Sequence, residues 1–372
     1  SGLGRTAMND LNQESLLSVL FDATRQGASD IHFIAEQRPT MRLHGDLIPV
    51  GEKSIGREAL QELLRHLCGH DQFARFLEQQ NLDLAVECND PKPFDGNEAS
   101  QRFRVNLFSA GNSHGACFRV IPSAIPDYGW ANFPKELLQK LCECRNGLIV
   151  FSGVTGSGKT TSMALVIQEL LRRESQRVVT IEDPIEYILQ SSGDSLITQR
   201  EVNRDVKSFA DGLKYAMRQD PNLILVGEIR DEETARMALS AAETGHLVLT
   251  TLHTRDAKGA VTRLIDLFPN QNHSESCSIL SIALRAVVCQ HLLPSIFDGE
   301  KRELALEIMF NTHPVAAAIR SGRFDSLDNA ILSGRKDGMM SLDESIRRLL
   351  QDERIDETVA QRFMSPSGSV GR

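Results

Sequence analysis

The sequence predicts an α/β protein: a phosphate-loop domain on a parallel sheet, with a smaller α+β domain before it. Three observations predict it. Residues 145–172 set an apolar run, a glycine-rich turn and a helical stretch in direct succession. From residue 147 onward, apolar or β-rich runs alternate with helical stretches, the pattern of a parallel sheet covered by helices. Residues 122–134 (PSAIPDYGWANFP) carry three prolines and the only Trp, and read as a linker separating this part from residues 8–121. At 372 residues, with 41% hydrophobic and 24% charged residues, the chain has room for two domains with real cores.

In chain order, Leu11 to Gln26 reads as a helix with Leu16, Leu17, Leu20 and Phe21 on one side, ended by Gly27-Ala28-Ser29-Asp30. Ile31 to Ile34 and Pro39 to Val50 read as strands, with Gly45-Asp46 as a hairpin turn. Ala59 to Cys68 and Asp71 to Gln79 are helical. Leu82 to Cys88, Arg102 to Phe108 and Gly115 to Ile121 alternate like strands, and the Pro/Gly-containing stretch Asn89 to Ser100 is a polar loop. Lys135 to Cys144 is a helix leading to the glycine-rich turn. Leu148–Phe151, Val178–Ile181, Leu223–Val226 and Leu247–Thr251 are the parallel strands of a domain spanning 135–363. Beyond Pro269 the reading is helical, at Ser274 to Gln290, Pro314 to Ser321, Ser326 to Ser333 and Ser341 to Asp352. Ser1 to Ala7, before Met8, reads as a cloning remnant, and 364–372 as a small, polar, disordered tail.

Gly153-Val154-Thr155-Gly156-Ser157-Gly158-Lys159-Thr160 fits G-x-x-x-x-G-K-[ST] at every fixed position. Gly153, Gly156 and Gly158 can take backbone angles closed to other residues, so successive N–H groups can turn inward around phosphate oxygens. A helix N-terminus adds partial positive charge there. Lys159 can reach the outer phosphates and the Thr160 hydroxyl can ligate Mg²⁺. Thr155, Ser157 and Thr161 complete the candidate nucleotide contacts. The stretch implies a nucleoside triphosphate, without saying what its hydrolysis drives.

Other residues offer chemistry around such a loop. Val178 to Tyr187 is a strand ending in Glu182, Asp183 and Glu186, at the strand end where ligands bind in doubly wound sheets. These carboxylates could hold Mg²⁺ through water or orient an attacking water; equally they could form a solvated acidic turn. Leu223-Ile224-Leu225-Val226-Gly227-Glu228 resembles the second nucleotide motif, with Gly227 where Asp is usual. Glu228 is the candidate general base, against a reading in which it merely ends a strand. His246 and His253 bracket the strand Leu247–Thr251. One could sense the γ-phosphate and the other steady the strand end, or both could be structural donors. Arg102, Arg104 and Arg119 alternate outward on strands and read first as solvated faces, although an arginine can neutralise charge on a transferred phosphoryl group.

Net charge of −9 argues against a nucleic-acid binder, so no nucleic-acid partner is expected. Seven cysteines without disulfide-like spacing suggest a reducing cytoplasm, and Cys142-Glu143-Cys144 has no second pair with which to hold zinc. No apolar run is long enough to span a bilayer, so any membrane role is peripheral.

Taken together, these stretches resemble the secretion ATPases of type II secretion and type IV pili, and among them the PilT-type pilus retraction motors. The resemblance runs from about Asn12 to Phe363. It rests on GASDIH (27–32), RFRVN (102–106), FRVIP (118–122), VTIEDPIEY (179–187), LILVGEIRD (223–231) and TGHLVLTTLHT (244–254) beside the phosphate loop. It implies a PAS-like N-terminal domain, a RecA-like ATPase domain, ATP and Mg²⁺ as cofactors, and a homo-hexamer. The implied place is the cytoplasmic side of the inner membrane, and the implied partners are a pilus platform protein and paralogous motor ATPases. By the same resemblance Glu228 is the catalytic glutamate, Glu186 the acidic-box carboxylate, His246 and His253 the box histidines, and Arg104 and Arg119 the arginines that reach phosphate. Ala318-Ile319-Arg320 matches the start of a retraction signature, but Ser321-Gly322-Arg323 replaces its apolar and acidic continuation.

Overall fold

The computed structural model describes residues 11–43, 45–91, 100–122, 124–297 and 302–365. The expected remnant at Ser1–Ala7, most of the loop after Asn89 and most of the expected tail lie outside the described residues. The chain divides into two compact units. The first runs to Ala124 and also takes in Pro184–Ile188; the second comprises Ile125–Asp183 and Leu189 onward.

In the first unit, α1 (Gln13–Arg25) starts on Asn12, whose side chain accepts the Ser15 amide as an N-cap. β1 (Asp30–Ile34), β2 (Thr40–Leu43) and β3 (Asp46–Pro49) form an antiparallel meander. α2 (Arg57–Gln79) is broken at Gly69, where φ is +73°, so the two expected helices meet at a kink. β4 (Asn81–Asn89), β5 (Ser100–Ala110) and β6 (Ser113–Ile121) complete a sheet ordered β3-β2-β1-β6-β5-β4. One residue in two along β4 is buried, which turns Leu82, Leu84, Val86 and Cys88 toward a core shared with Phe33, Phe76, Phe103 and Phe118. The opposite face carries Arg42, Asp30, Arg119 and Arg104 side by side across four strands.

The second unit opens with α3 (Lys135–Cys142), β7 (Gly147–Ser152), α4 (Lys159–Arg173), β8 (Arg177–Glu182) and β9 (Leu196–Glu201). It continues through α5 (Phe209–Ala216), β10 (Leu223–Val226), α6 (Glu232–Glu243), β11 (Leu247–Leu252), α7 (Ala257–Asp266) and α8 (His273–Ala283). β12 (Leu284–Pro294) and β13 (Arg302–Phe310) precede α9 (His313–Arg320), α10 (Leu327–Ser333), α11 (Leu342–Gln351) and α12 (Glu357–Phe363). The sheet order is β13-β12-β7-β11-β10-β8-β9, parallel from β12 to β9 and antiparallel between β12 and β13. Helices cover both faces, and β7, β10 and β11 are buried at every residue.

Two differences from the sequence reading stand out. The helix expected over Ser274–Gln290 stops at Ala283, and the chain continues as β12. LRAVVCQHLL has seven apolar residues in ten, a mix that periodicity alone cannot assign to a helix or a doubly buried strand. It pairs with β7 on one side and β13 on the other, and β-branched Val287 and Val288 suit that packing. β9 was also absent from the reading, being a short edge strand of mixed polarity.

The β12–β13 hairpin carries a titratable group. Glu307 lies opposite Cys289, and its Oε1 accepts the Ala257 amide, 2.6 Å away, at the start of α7. Burial pushes its pKa up from 4.5 to about 7, with Asp256 and Asp328 adding to the rise and the Ala257 and Leu342 amides opposing it. The folded state therefore holds this proton more tightly than the unfolded chain. The resulting stability is full below the ordinary carboxyl pKa and is lost as pH rises through about 7. We expect at most about 3 kcal/mol to disappear across this window. In Glu307→Gln, which keeps an acceptor for Ala257, that part of the slope should vanish. Urea unfolding of both proteins between mildly acidic and mildly alkaline pH checks it, and identical slopes would refute the assignment.

Candidate nucleotide site

Parallel strands end in the same sense, so the C-termini of β7, β11, β10 and β8 share one edge of the sheet. That edge carries Gly153 after β7, His253 after β11, Gly227-Glu228 after β10 and Glu182-Asp183 at the end of β8. β11 separates the phosphate-loop strand from the Glu228 strand.

The loop has the backbone its glycines require. φ is +142° at Gly153, +79° at Gly156 and +88° at Gly158, which caps α4. A Cβ at Gly153 would stand 2.5 Å from both the Gln290 carbonyl oxygen and Ser157 Oγ, so no side chain fits. Lys159 is buried, and its Nζ donates to the carbonyls of Gly153 (2.8 Å) and Val154 (3.0 Å). Thr155 and Gly156 are exposed, Ser157 is buried, and Thr160 and Thr161 are half-buried in the first turn of α4. Ser152 Oγ accepts the Thr254 amide at 3.0 Å, which fastens the end of β7 to the segment after His253.

Glu228 is held from three directions. The Gly227 amide donates to the Ile181 carbonyl (2.8 Å), and the Gly227 carbonyl accepts Thr251 Oγ1 (2.6 Å). A Cβ at Gly227 would lie 3.2 Å from the Phe209 ring and 3.4 Å from the Ile181 oxygen, so the usual aspartate has little room. The Glu228 carboxylate is 8% exposed, with Oε1 2.5 Å from Arg230 Nη2 and Oε2 3.4 Å from His253 Nε2. Glu182 is also buried, and its Oε1 accepts Thr180 Oγ1 (2.6 Å) and Gln199 Nε2 (3.1 Å). Asp183 follows it, half-buried.

His246 does not join this group. It precedes β11, at the opposite edge of the sheet, where its Nδ1 lies 3.0 Å from the Ala241 carbonyl oxygen. The six residues of β11 separate it from His253, about 20 Å at the rise of an extended chain. Arg104, Arg119 and Glu186 belong to the first unit. Arg119 Nε donates to Asp30 Oδ1 at 2.8 Å; this bond raises the arginine's pKa, and Glu186 adds to the rise. Arg104 sits opposite Arg119 and lies 4.0 Å from Asp83. Arg102, outside the proposed catalytic set, donates to the carbonyls of Ile185 (2.7 Å) and Glu186 (2.8 Å).

Sequence reasoning missed Gln199, Arg230 and Gln290. Arg230 lay inside a quoted motif, two residues past the candidate base. Gln199 and Gln290 stand on β9 and β12, two of the three strands that were not foreseen (β13 is the third), so no local signal pointed to them.

With this geometry in view, comparisons with known proteins become specific. Residues 97–363 match the family described as type II/IV secretion system protein. A twitching motility protein of Neisseria gonorrhoeae is 36% identical over 96% of this chain and 92% of its own length. The type IV pilus retraction ATPase PilT of Pseudomonas aeruginosa is 35% identical over 90% of this chain and 94% of its own. A crystal structure of the pilus retraction motor PilT with bound ADP superimposes with a TM-score of 0.82 at 32% identity, covering 96% and 98% of the two chains. The chain belongs to the type II/IV secretion system protein family, as a PilT-like P-loop ATPase.

Proposed function

We propose that this ATPase is the subunit of a homo-hexameric motor that retracts type IV pili, working on an inner-membrane platform protein from the cytoplasmic side. The observation that carries the reading is the sheet edge where the Lys159 loop and the Glu228 carboxylate end on strands one apart. Among the described residues, no helix is long and apolar enough to cross a membrane, which fits peripheral attachment.

In the proposed reaction, the loop amides and Lys159 hold the β- and γ-phosphates of ATP. Water attacks the γ-phosphorus, the bond to the bridging oxygen breaks, and the water proton passes to Glu228. Arg230 holds that carboxylate in place, and His253 Nε2 stands 3.4 Å from its other oxygen. The hard oxygens of Thr160, Glu182 and Asp183 suit Mg²⁺, directly for the hydroxyl and through water for the acids, because Mg²⁺ takes few protein ligands beside phosphate. Bound there, it would neutralise phosphate charge. Arg104 and Arg119 are proposed to neutralise charge building on the transferred group, with Glu186 as the acidic-box carboxylate. His246 has no role at its own chain's loop in this reading.

A second reading has one observation behind it. α9 ends at Arg320, and Gly322 follows with φ at +66°, so the helix stops where the retraction signature would continue. This favours an accessory subunit acting beside a paralogous motor ATPase. Deletion in the source organism separates the alternatives. Hyper-piliated cells unable to pull mean retraction. Cells that still pull, with reduced force, mean an accessory subunit. Bald cells mean assembly and would overturn both.

A further inference from the structure

Gln290 is a polar residue with no exposure at all, on a strand that lies beneath the phosphate loop. It touches both ends of that loop. Its backbone carbonyl occupies the space a side chain at Gly153 would need, and its Nε2 lies 3.8 Å from where a Cβ at Gly158 would be. Nε2 donates to Ser162 Oγ (2.9 Å) on the first turns of α4. Its Oε1 is buried without a hydrogen-bond partner. A second such group stands nearby: Ser157 Oγ, 1% exposed, also has none, and it too meets the Gly153 position at 2.5 Å. Buried polar atoms are rarely left unpaired, because each loses its water without replacement. Here an orphan acceptor and an orphan donor border one glycine-rich loop.

The turn itself is held by other bonds. Lys159 holds the Gly153 and Val154 carbonyls, and the Ser157 amide donates to the Val154 carbonyl at 3.1 Å. A phosphate would compete with those carbonyls for Lys159, and the turn over 153–157 could then shift. We propose that Gln290 is a positioning residue of the phosphate loop, and that its Oε1 accepts the Ser157 hydroxyl when the loop closes on phosphate. The hairpin would then act as the loop's floor, making a hydrogen bond that exists only in the nucleotide-bound state. This rests on the ATPase reading of the loop.

The test measures MgADP affinity, and KM and kcat for MgATP, in the full chain as wild type, Ser157→Ala, Gln290→Met and the double variant. A bond made only on closure predicts about tenfold weaker MgADP binding and a raised KM for either single change, with kcat kept. The double variant should be no weaker than the singles, because one bond is lost in all three. Nucleotide-free Ser157→Ala should melt no lower than wild type, since the hydroxyl pairs with nothing there; a purely structural role would lower it. Additive losses, or unchanged MgADP affinity in both single variants, would overturn the proposal. Should Gln290→Met not fold, unchanged affinity in Ser157→Ala overturns it alone. Failure of the wild type to bind MgADP would instead strike the ATPase reading itself.

Discussion

Glu228→Gln should lower ATP turnover about 10²- to 10⁴-fold, the usual worth of a positioned general base, while nucleotide binding survives. The substitution keeps the shape and one acceptor oxygen but replaces a basic carboxylate with an amide too weakly basic to take a proton. The geometry favours this residue over the other acids of the same edge. Glu182 already accepts Thr180 and Gln199 on one oxygen, whereas Glu228 Oε2 is buried without a hydrogen-bond donor. Arg230 partners this carboxylate in a site 8% exposed, where an unpaired one would be costly. Phosphate release and MgADP affinity, measured together, separate a chemical defect from a binding one. Wild-type turnover in the variant would remove Glu228 from the mechanism.

Lys159→Ala should weaken binding of MgATP about 10- to 100-fold, the range for losing hydrogen bonds to a charged group, and bring turnover below detection. Here the lysine has two tasks. Its buried ammonium ties the Gly153 and Val154 carbonyls together; with nucleotide it would exchange those carbonyls for phosphate oxygens. Both ends of the exchange are charge-assisted bonds, so the swap costs little. Removing the side chain leaves two carbonyls without their donor as well as a phosphate without its cation. Equilibrium binding of MgATP in the Glu228→Gln background measures this without turnover. Unchanged affinity there would mean that phosphate is held elsewhere.

What could be read from the residues was short-range. The spacing of Gly153, Gly156, Gly158 and Lys159 demands one backbone path, because only glycine tolerates those angles, and the path is present. The alternating strands of the first unit were readable because one face is buried and the other wet. Gly227 announced a missing aspartate, and the Phe209 ring and Ile181 carbonyl supply the steric reason. What could not be read depends on pairing across long sequence distances. His246 and His253 look equivalent in the sequence, but a parallel strand carries them to opposite edges of the sheet. Leu284 to Gln290 reads as the end of a helix until β7 and β13 claim it from both sides.

By itself, then, the sequence determined that a phosphate loop exists and where its lysine lies, and it offered Glu228 as the candidate base, since those are matters of local geometry and residue chemistry. Only the tertiary structure decided which groups share the loop's edge and that a buried glutamine lies beneath it. Strand order and direction, not spacing along the chain, set which side chains meet.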